Sequence, residues 1–187
     1  HPSETILIQA GAGGVGHLAI QLAKLHGSRV ITTAGRDESI ALCQDLGADL
    51  VINYREEDVA ARVEKETDGR GCEVVCDFVG GEVFNTSIAC LAPDGRLATI
   101  VGVPDDAPMR DLFVKNGTLH TVFIAVPYAY GIRTDAHSKI LQTVAELLEA
   151  DKLKVHVCKT WPLEKLPEAH KAQETGHVTG KQVILMK

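Results

Sequence analysis

The residues whose chemistry can be read from type and spacing are glycines. Gly11-Ala12-Gly13-Gly14-Val15-Gly16 is a Gly-x-Gly-x-x-Gly run, with the apolar Ile6-Leu7-Ile8 ahead of it and a helical pattern behind it. A strand that turns sharply into a helix there offers backbone N–H groups and the positive end of the helix dipole to a phosphate. Gly11 makes the turn, Gly13 lets the backbone approach a pyrophosphate, and Gly16 lets the helix pack on the strand. Gly14 and Val15 belong to the same turn. The alternative is a merely glycine-rich turn. Strand, motif, helix and second strand follow in order, however, and that is the context a dinucleotide site requires.

An NAD site of this kind carries an acid at the end of the second strand, for the ribose hydroxyls. Here that strand ends Thr32-Thr33-Ala34-Gly35-Arg36, and Ala34 stands at the acid's position. No carboxylate there repels a 2′-phosphate, and Arg36 offers a planar fork of donors suited to one. The expected cofactor is therefore NADPH rather than NADH. Asp37 and Glu38 follow and weigh against Arg36, whose competing reading is a solvated loop charge. Three more loops leave strand ends where ligands lie in open α/β sheets: Phe78-Val79-Gly80, Val101-Gly102 and Phe123-Ile124. Small or apolar residues there frame a ribose and a nicotinamide ring, although each also suits ordinary strand-end packing. Tyr54 closes the third strand on the adenine side, with an exposed loop tyrosine as the alternative.

These residues need a scaffold that brings strand ends together. Strands are expected at residues 5–10, 29–33, 50–53, 73–78, 96–101 and 119–125, alternating with helices after the motif and at 37–46, 56–67, 82–91 and 138–150. In the first helix Val15, Leu18, Ala19 and Leu22 form the apolar stripe. Pro93-Asp94-Gly95 reads as a turn and residues 102–116 as irregular. The alternation specifies a doubly wound parallel sheet in the Rossmann order 3-2-1-4-5-6 over residues 1–152. Residues 153–187 break the pattern: an extended stretch at 153–161, a short helix at 163–174 and a last strand at 180–187, expected to belong to another domain.

Composition narrows the partners. The 187 residues carry 19 basic and 25 acidic side chains, a formal charge of −6 with no basic cluster, which argues against nucleic acid or an anionic membrane. No apolar run is long enough to span a bilayer, no signal peptide is seen, and the expected location is cytoplasmic. The five cysteines, Cys43, Cys72, Cys76, Cys90 and Cys158, read as reduced core thiols, and the spacing of Cys72 and Cys76 is poor for zinc. His17, His26, His120, His137, His156, His170 and His177 are scattered, so no metal site is expected. A short-chain dehydrogenase would need Tyr-x-x-x-Lys, but Asp58, Ile132 and Thr134 stand four residues after Tyr54, Tyr128 and Tyr130. A methyltransferase usually wants the acid that Ala34 replaces.

Together these motifs resemble the medium-chain dehydrogenase/reductase superfamily, in particular its quinone-oxidoreductase-like, zinc-type alcohol dehydrogenase-like branch. The resemblance runs through Ala10 to Gly16, Thr33-Ala34-Gly35, Leu46-Gly47-Ala48-Asp49, Ile52-Asn53-Tyr54, Asp77-Phe78-Val79-Gly80, Ala169-His170 and Gly180-Lys181-Gln182-Val183. It implies an oxidoreductase in which NADPH gives hydride to a quinone, enone or related carbonyl compound. It places Thr33, Ala34, Gly35 and Tyr54 around the adenosine phosphate. It also implies that the substrate domain is encoded upstream of the motif. The chain then reads as the cofactor part of a longer enzyme, inactive alone, with residues 181–186 folding back onto the absent domain and no catalytic residue of its own. A non-catalytic NADPH-binding module is the rival. Residues 119–125 carry no formal charge or proline, and with the resemblance they imply a homodimer joined at that edge strand.

Overall fold

The computed structural model describes residues 1–133, 135–176 and 178–186, so Thr134, His177 and Lys187 lie outside the described residues. The first strand sets the sheet. β1 (Thr5–Ile8) lies between β2 (Arg29–Ala34) and β4 (Cys72–Asp77), with Leu7 opposite Ile31 on one side and Val75 on the other. Successive strand residues point to opposite faces, so Leu7 and Ile8 enter different cores. Leu7 joins Val75, Phe84, Ile88 and Leu97 on one face, and Ile8 joins Ile20, Val30 and Cys43 on the other.

β3 (Leu50–Asn53) pairs with β2 on one flank, and β5 (Leu91–Thr99) and β6 (Thr118–Thr121) extend the other. Every pairing is parallel and the order is 3-2-1-4-5-6, the expected doubly wound Rossmann sheet. Helices α1 (Gly16–Leu25) and α2 (Asp37–Asp45) cover the Ile8 face. Helices α3 (Val59–Glu66), α4 (Glu82–Ala89) and α5 (Met109–Val114) cover the Leu7 face. The chain reverses direction across the sheet between β1 and β4, which opens a crevice at the carboxyl ends of those strands.

Several expectations are corrected. The buried side of α1 is Gly16, His17, Ile20 and Ala23, while Val15 and Leu22 are exposed. The buried stripe shifts by one because Gly16, lacking a side chain, lets the helix start hard against the turn. Pro93-Asp94-Gly95 is a kink inside β5, where the register to β4 shifts between Cys72 and Val74. The irregular stretch contains α5, whose N-cap is Pro108, a place where a missing N–H costs little. β6 stops at Thr121 rather than at residue 125. Val126 donates to the Phe123 carbonyl and the chain turns into α6 (Val126–Ala129), with Pro127 in its first turn.

The long helix α7 (Ala136–Glu149) follows. β7 (Val157–Pro162) and β8 (Lys181–Leu185) then pair in parallel, joined by a 3-10 turn at Leu163–Lys165 and helix α8 (Leu166–Glu174). The closing strand thus has a partner within the chain. Among the described residues no helix is long and apolar enough to cross a membrane.

Candidate functional site

The glycine turn is fixed from below by β2. Ala10 takes a left-handed φ of 55°, a conformation uncommon for a residue with a Cβ. Its N–H donates to Thr33 Oγ1 at 2.9 Å, and that hydroxyl donates in turn to Gln9 Oε1 at 3.0 Å. Gln9 is buried and its amide reaches Ser87 Oγ at 3.2 Å, so a polar chain from β1, β2 and α4 lies under the crevice. Gly11 donates to the Thr33 carbonyl and Gly13 to that of Ala10, both at 3.0 Å.

Close approach decides the glycines. A Cβ on Gly11 would fall 2.1 Å from Thr32 Oγ1, and one on Gly16 would fall 2.2 Å from the Ala10 carbonyl oxygen. Gly11 is therefore needed for packing under β2 as well as for the turn. At Gly13 the nearest atom to a Cβ would be the Ala10 oxygen at 3.1 Å, so its open side is left for a ligand. The N–H groups of Gly14, Val15 and Gly16 have no backbone acceptor among the described residues and sit at the start of α1, an anion-binding arrangement.

His17 holds the far side of the turn. It is fully buried, and its Nδ1 lies 2.8 Å from the Gly13 carbonyl oxygen. A carbonyl only accepts, so Nδ1 carries the proton. Nε2 has no partner. Burial pushes the imidazole below its ordinary range, and the nearby Lys181 and His156 add to the effect, against the opposing bond to Gly13.

At the end of β2, Thr33 and Ala34 are buried and Gly35 lies under the Tyr54 ring. A Cβ on Gly35 would be 2.6 Å from Tyr54 Cζ. Arg36 is the N-cap of α2, and its guanidinium pairs with Glu38 at 2.8 Å. Two cavities meet at this edge. One of about 120 Å3 is lined by Gly13, Ala34, Gly35, Arg36, Ser39 and Val178. The other, about 750 Å3, runs between α3 and α4 past Gln9, Thr33, Tyr54, Val79, Val83 and Asn85.

The loops beyond behave differently from one another. Asp77, buried at the end of β4, accepts from the N–H groups of Val79 and Gly80 through one oxygen, both at 3.0 Å, and from Thr99 Oγ1 through the other. Val101 packs on Gly80, where a Cβ would meet its Cγ1 at 3.0 Å, and Gly102 follows with open space beside it. Val79 lines the larger cavity, whereas Phe78 packs into the core under α1. Phe123 and Ile124 are 69% and 72% exposed beyond the end of β6, and neither lines the two cavities.

Among the described residues no three His, Cys, Asp or Glu side chains converge on a point that would hold a metal ion. Burial pushes the thiols of Cys43, Cys72 and Cys90 up to about 12 and that of Cys76 up to about 11, while Cys158 is exposed rather than in the core. Gln9, Ser39, Val178 and Lys181 also stand at the crevice, beyond the residues the motifs point to. A polar Gln9 inside the apolar first strand was the one signal available for them.

Compared with known proteins, residues 46–184 match the family of zinc-binding dehydrogenases. The chain is 34% identical over 188 residues to a quinone oxidoreductase of Pseudomonas aeruginosa, which covers 97% of this chain and 56% of that protein. The solved structure of an NAD-dependent alcohol dehydrogenase superposes with a TM-score of 0.89 at 30% identity, covering 100% of this chain and 52% of that one. Quinone oxidoreductase of Escherichia coli, solved in complex with NADPH, superposes with a TM-score of 0.84 at 29% identity, covering 99% of this chain and 58% of that one. The chain spans about half the length of the curated relatives it matches.

Proposed function

The chain belongs to the family of zinc-binding dehydrogenases, the medium-chain group its motifs resemble, and on that premise we propose that it is the NADPH-binding part of an oxidoreductase that reduces a quinone, an enone or a related carbonyl compound. The observation that carries this reading is the cradle itself. Among the described residues the N–H groups at the start of α1 have no backbone acceptor, a Cβ on Gly13 would meet only the Ala10 oxygen, and Gly13 lines one cavity with Ala34, Gly35 and Arg36. Gly11, Gly13, Gly14, Val15 and Gly16 hold the pyrophosphate, and Thr33, Ala34, Gly35 and Arg36 hold the adenosine ribose and its phosphate. Tyr54 and Val79 flank the adenine. Phe78, Gly80, Val101 and Gly102 support the nicotinamide side, with Phe123 and Ile124 beyond them.

When bound, the cofactor supplies a hydride; the chain's own residues bind and orient it. Residues 153–187 return to a substrate-binding domain in the whole protein, and two such chains join at the β6 edge. Zinc finds no fitting donor set among the described residues, so the family's metal has no role in this reading of the chain.

NADH is a second reading, favoured by one observation: Glu38 already holds Arg36. A charged hydrogen bond is worth about 1.5–3 kcal/mol, and a 2′-phosphate must first take Arg36 from Glu38. The expected preference for NADPH is therefore at the low end, about 1.5 kcal/mol or roughly tenfold in Kd. Arg36→Ala removes most of that preference and leaves NADH affinity nearly unchanged. Calorimetric titration of both dinucleotides at one salt concentration checks this. Equal affinities in the unmutated chain would overturn the NADPH assignment in favour of NADH.

A further inference from the structure

One buried carboxylate ties together the two turns that leave β4 and β5. Asp77 closes β4, is fully buried, and lies opposite Thr99, the last residue of β5, in the strand register. One of its oxygens accepts from the N–H groups of Val79 and Gly80, both at 3.0 Å. The other accepts from the Thr99 hydroxyl at 3.3 Å, and Thr99 Oγ1 accepts in turn from the Val101 N–H at 3.3 Å. The Asp77 carbonyl also takes the Ile100 N–H, at 3.4 Å. Both turns thus hang on the same residue.

Neither turn is stiff by itself. Gly80 and Gly81 stand at φ of 79° and 55°, left-handed values that glycine takes without steric cost but with the largest loss of backbone entropy of any residue. A Cβ on Gly102 would meet nothing within 4 Å. Val79 and Val101 are 45% and 57% exposed, so they are apolar side chains held in place without being covered. Their backbones are fixed by the bonds to Asp77 and Thr99, and Val101 also packs on Gly80. A carboxylate is a costly group to bury. Among the described residues, each hydrogen bond that this one accepts comes from the first turn or from the threonine that supports the second.

We infer that Asp77 is a positioning residue for the nicotinamide half of the dinucleotide, fixing the turns after β4 and β5 in one arrangement before the cofactor arrives. It acts through backbone rather than by contact. Gly80, Val101 and Gly102 then present a preformed surface, and less ordering is left to be done on binding. Thr99 carries the effect from the first turn to the second. The glycine turn and the end of β2, which hold the adenosine half and the pyrophosphate, share no hydrogen bond with the Asp77 side chain. The inference rests on the dinucleotide reading proposed above, and the unmutated chain tests that separately.

The experiment is calorimetric titration of NADPH, and separately of its adenosine half 2′,5′-ADP, into the unmutated chain, Thr99→Val, Asp77→Ala and Asp77→Asn. Thr99→Val keeps the shape of the side chain and cuts only its bonds to Asp77 and Val101. The expected result is a roughly threefold loss of NADPH affinity in Thr99→Val and a roughly tenfold loss in Asp77→Ala, with 2′,5′-ADP bound equally by all four proteins. Asp77→Asn still offers an oxygen to the two N–H groups and keeps most of the affinity. Unaltered NADPH binding in Thr99→Val and Asp77→Ala, or a loss that 2′,5′-ADP shares in full, overturns the positioning role and leaves the dinucleotide site standing. So does an unmutated chain that binds NADPH but not 2′,5′-ADP, since the adenosine half then has no footing of its own. An unmutated chain that binds neither overturns both readings. A melting curve accompanies each variant, and if Asp77→Ala does not fold, Thr99→Val decides by the same comparison.

Discussion

His17 shows how much a single residue of this site does by its position. Its Nδ1–H ties the first turn of α1 to Gly13, and its buried Nε2 finds no hydrogen-bond partner among the described residues. Because burial first, and then the charges of Lys181 and His156, hold the folded imidazole below its ordinary value of 6.5, the unfolded chain binds a proton more readily than the folded one. Stability then rises with pH between the depressed folded value and about 6.5, is fully present above that, and is lost as pH falls through the folded value. Urea midpoints measured from pH 8 down to pH 5 are expected to drop on the acid side. His17→Gln, whose side chain does not titrate, is expected to flatten that drop, and an identical slope in both proteins would contradict the assignment. The sequence alone could not reveal this, because a histidine one position past Gly16 reads equally as surface or core. Burial came from the helix settling one residue over on its glycine. Gly11 and Gly16 were legible as turn and packing positions because their close neighbours, Thr32 and Ala10, are fixed by the strand–turn–helix geometry.

Elements were legible where they repeat a local period and less so where a turn or an edge intervenes. The six strands and their order follow from alternation and from the way helices cross over a parallel sheet, with no long-range information needed. β6 is the exception. Apolar character continues through Ile124, but hydrogen bonding to β5 ends soon after Thr121, at the Val122 N–H that donates to Thr99 at 2.9 Å. That bond also decides how the proposed dimer edge is tested. Strand N–H groups alternate between the two sides, so Val122 faces inward to β5 and Thr121 faces outward. A proline at 121 removes an edge donor without breaking the sheet's own ladder. If two chains pair along β6, Thr121→Pro is expected to convert dimer to monomer in light scattering at matched concentration. A parent chain already monomeric at high concentration, or a dimer that survives the substitution, would rule the edge out. Phe123 and Ile124, both exposed just past the strand, are surface that such a partner would cover.

At the scale of the whole molecule, the last residues break the Rossmann pattern and the resemblance sends residues 181–186 to another domain, but the contacts they make within this chain are not legible in the sequence. Residues 178–181 return to the turn around Ala12 and Gly14, and β8 finds β7. Neither contact leaves a mark on hydrophobic periodicity, since one is a backbone hydrogen bond and the other a lysine lying across a glycine. The first strand, its turn, the end of β2 and the C-terminal segment are thus four separate pieces of chain meeting at one crevice. If that crevice is what the cradle implies, the chain holds NADPH whether or not the rest of the protein is present. The deciding measurement is a calorimetric titration of NADPH into this chain, with Gly13→Val alongside. A valine at 13 would crowd the Ala10 carbonyl only modestly while filling the open side where the pyrophosphate belongs. The expected result is one saturable site per chain in the parent and none in a folded Gly13→Val. No saturable binding by the parent, or undiminished binding by the variant, would contradict the cofactor reading.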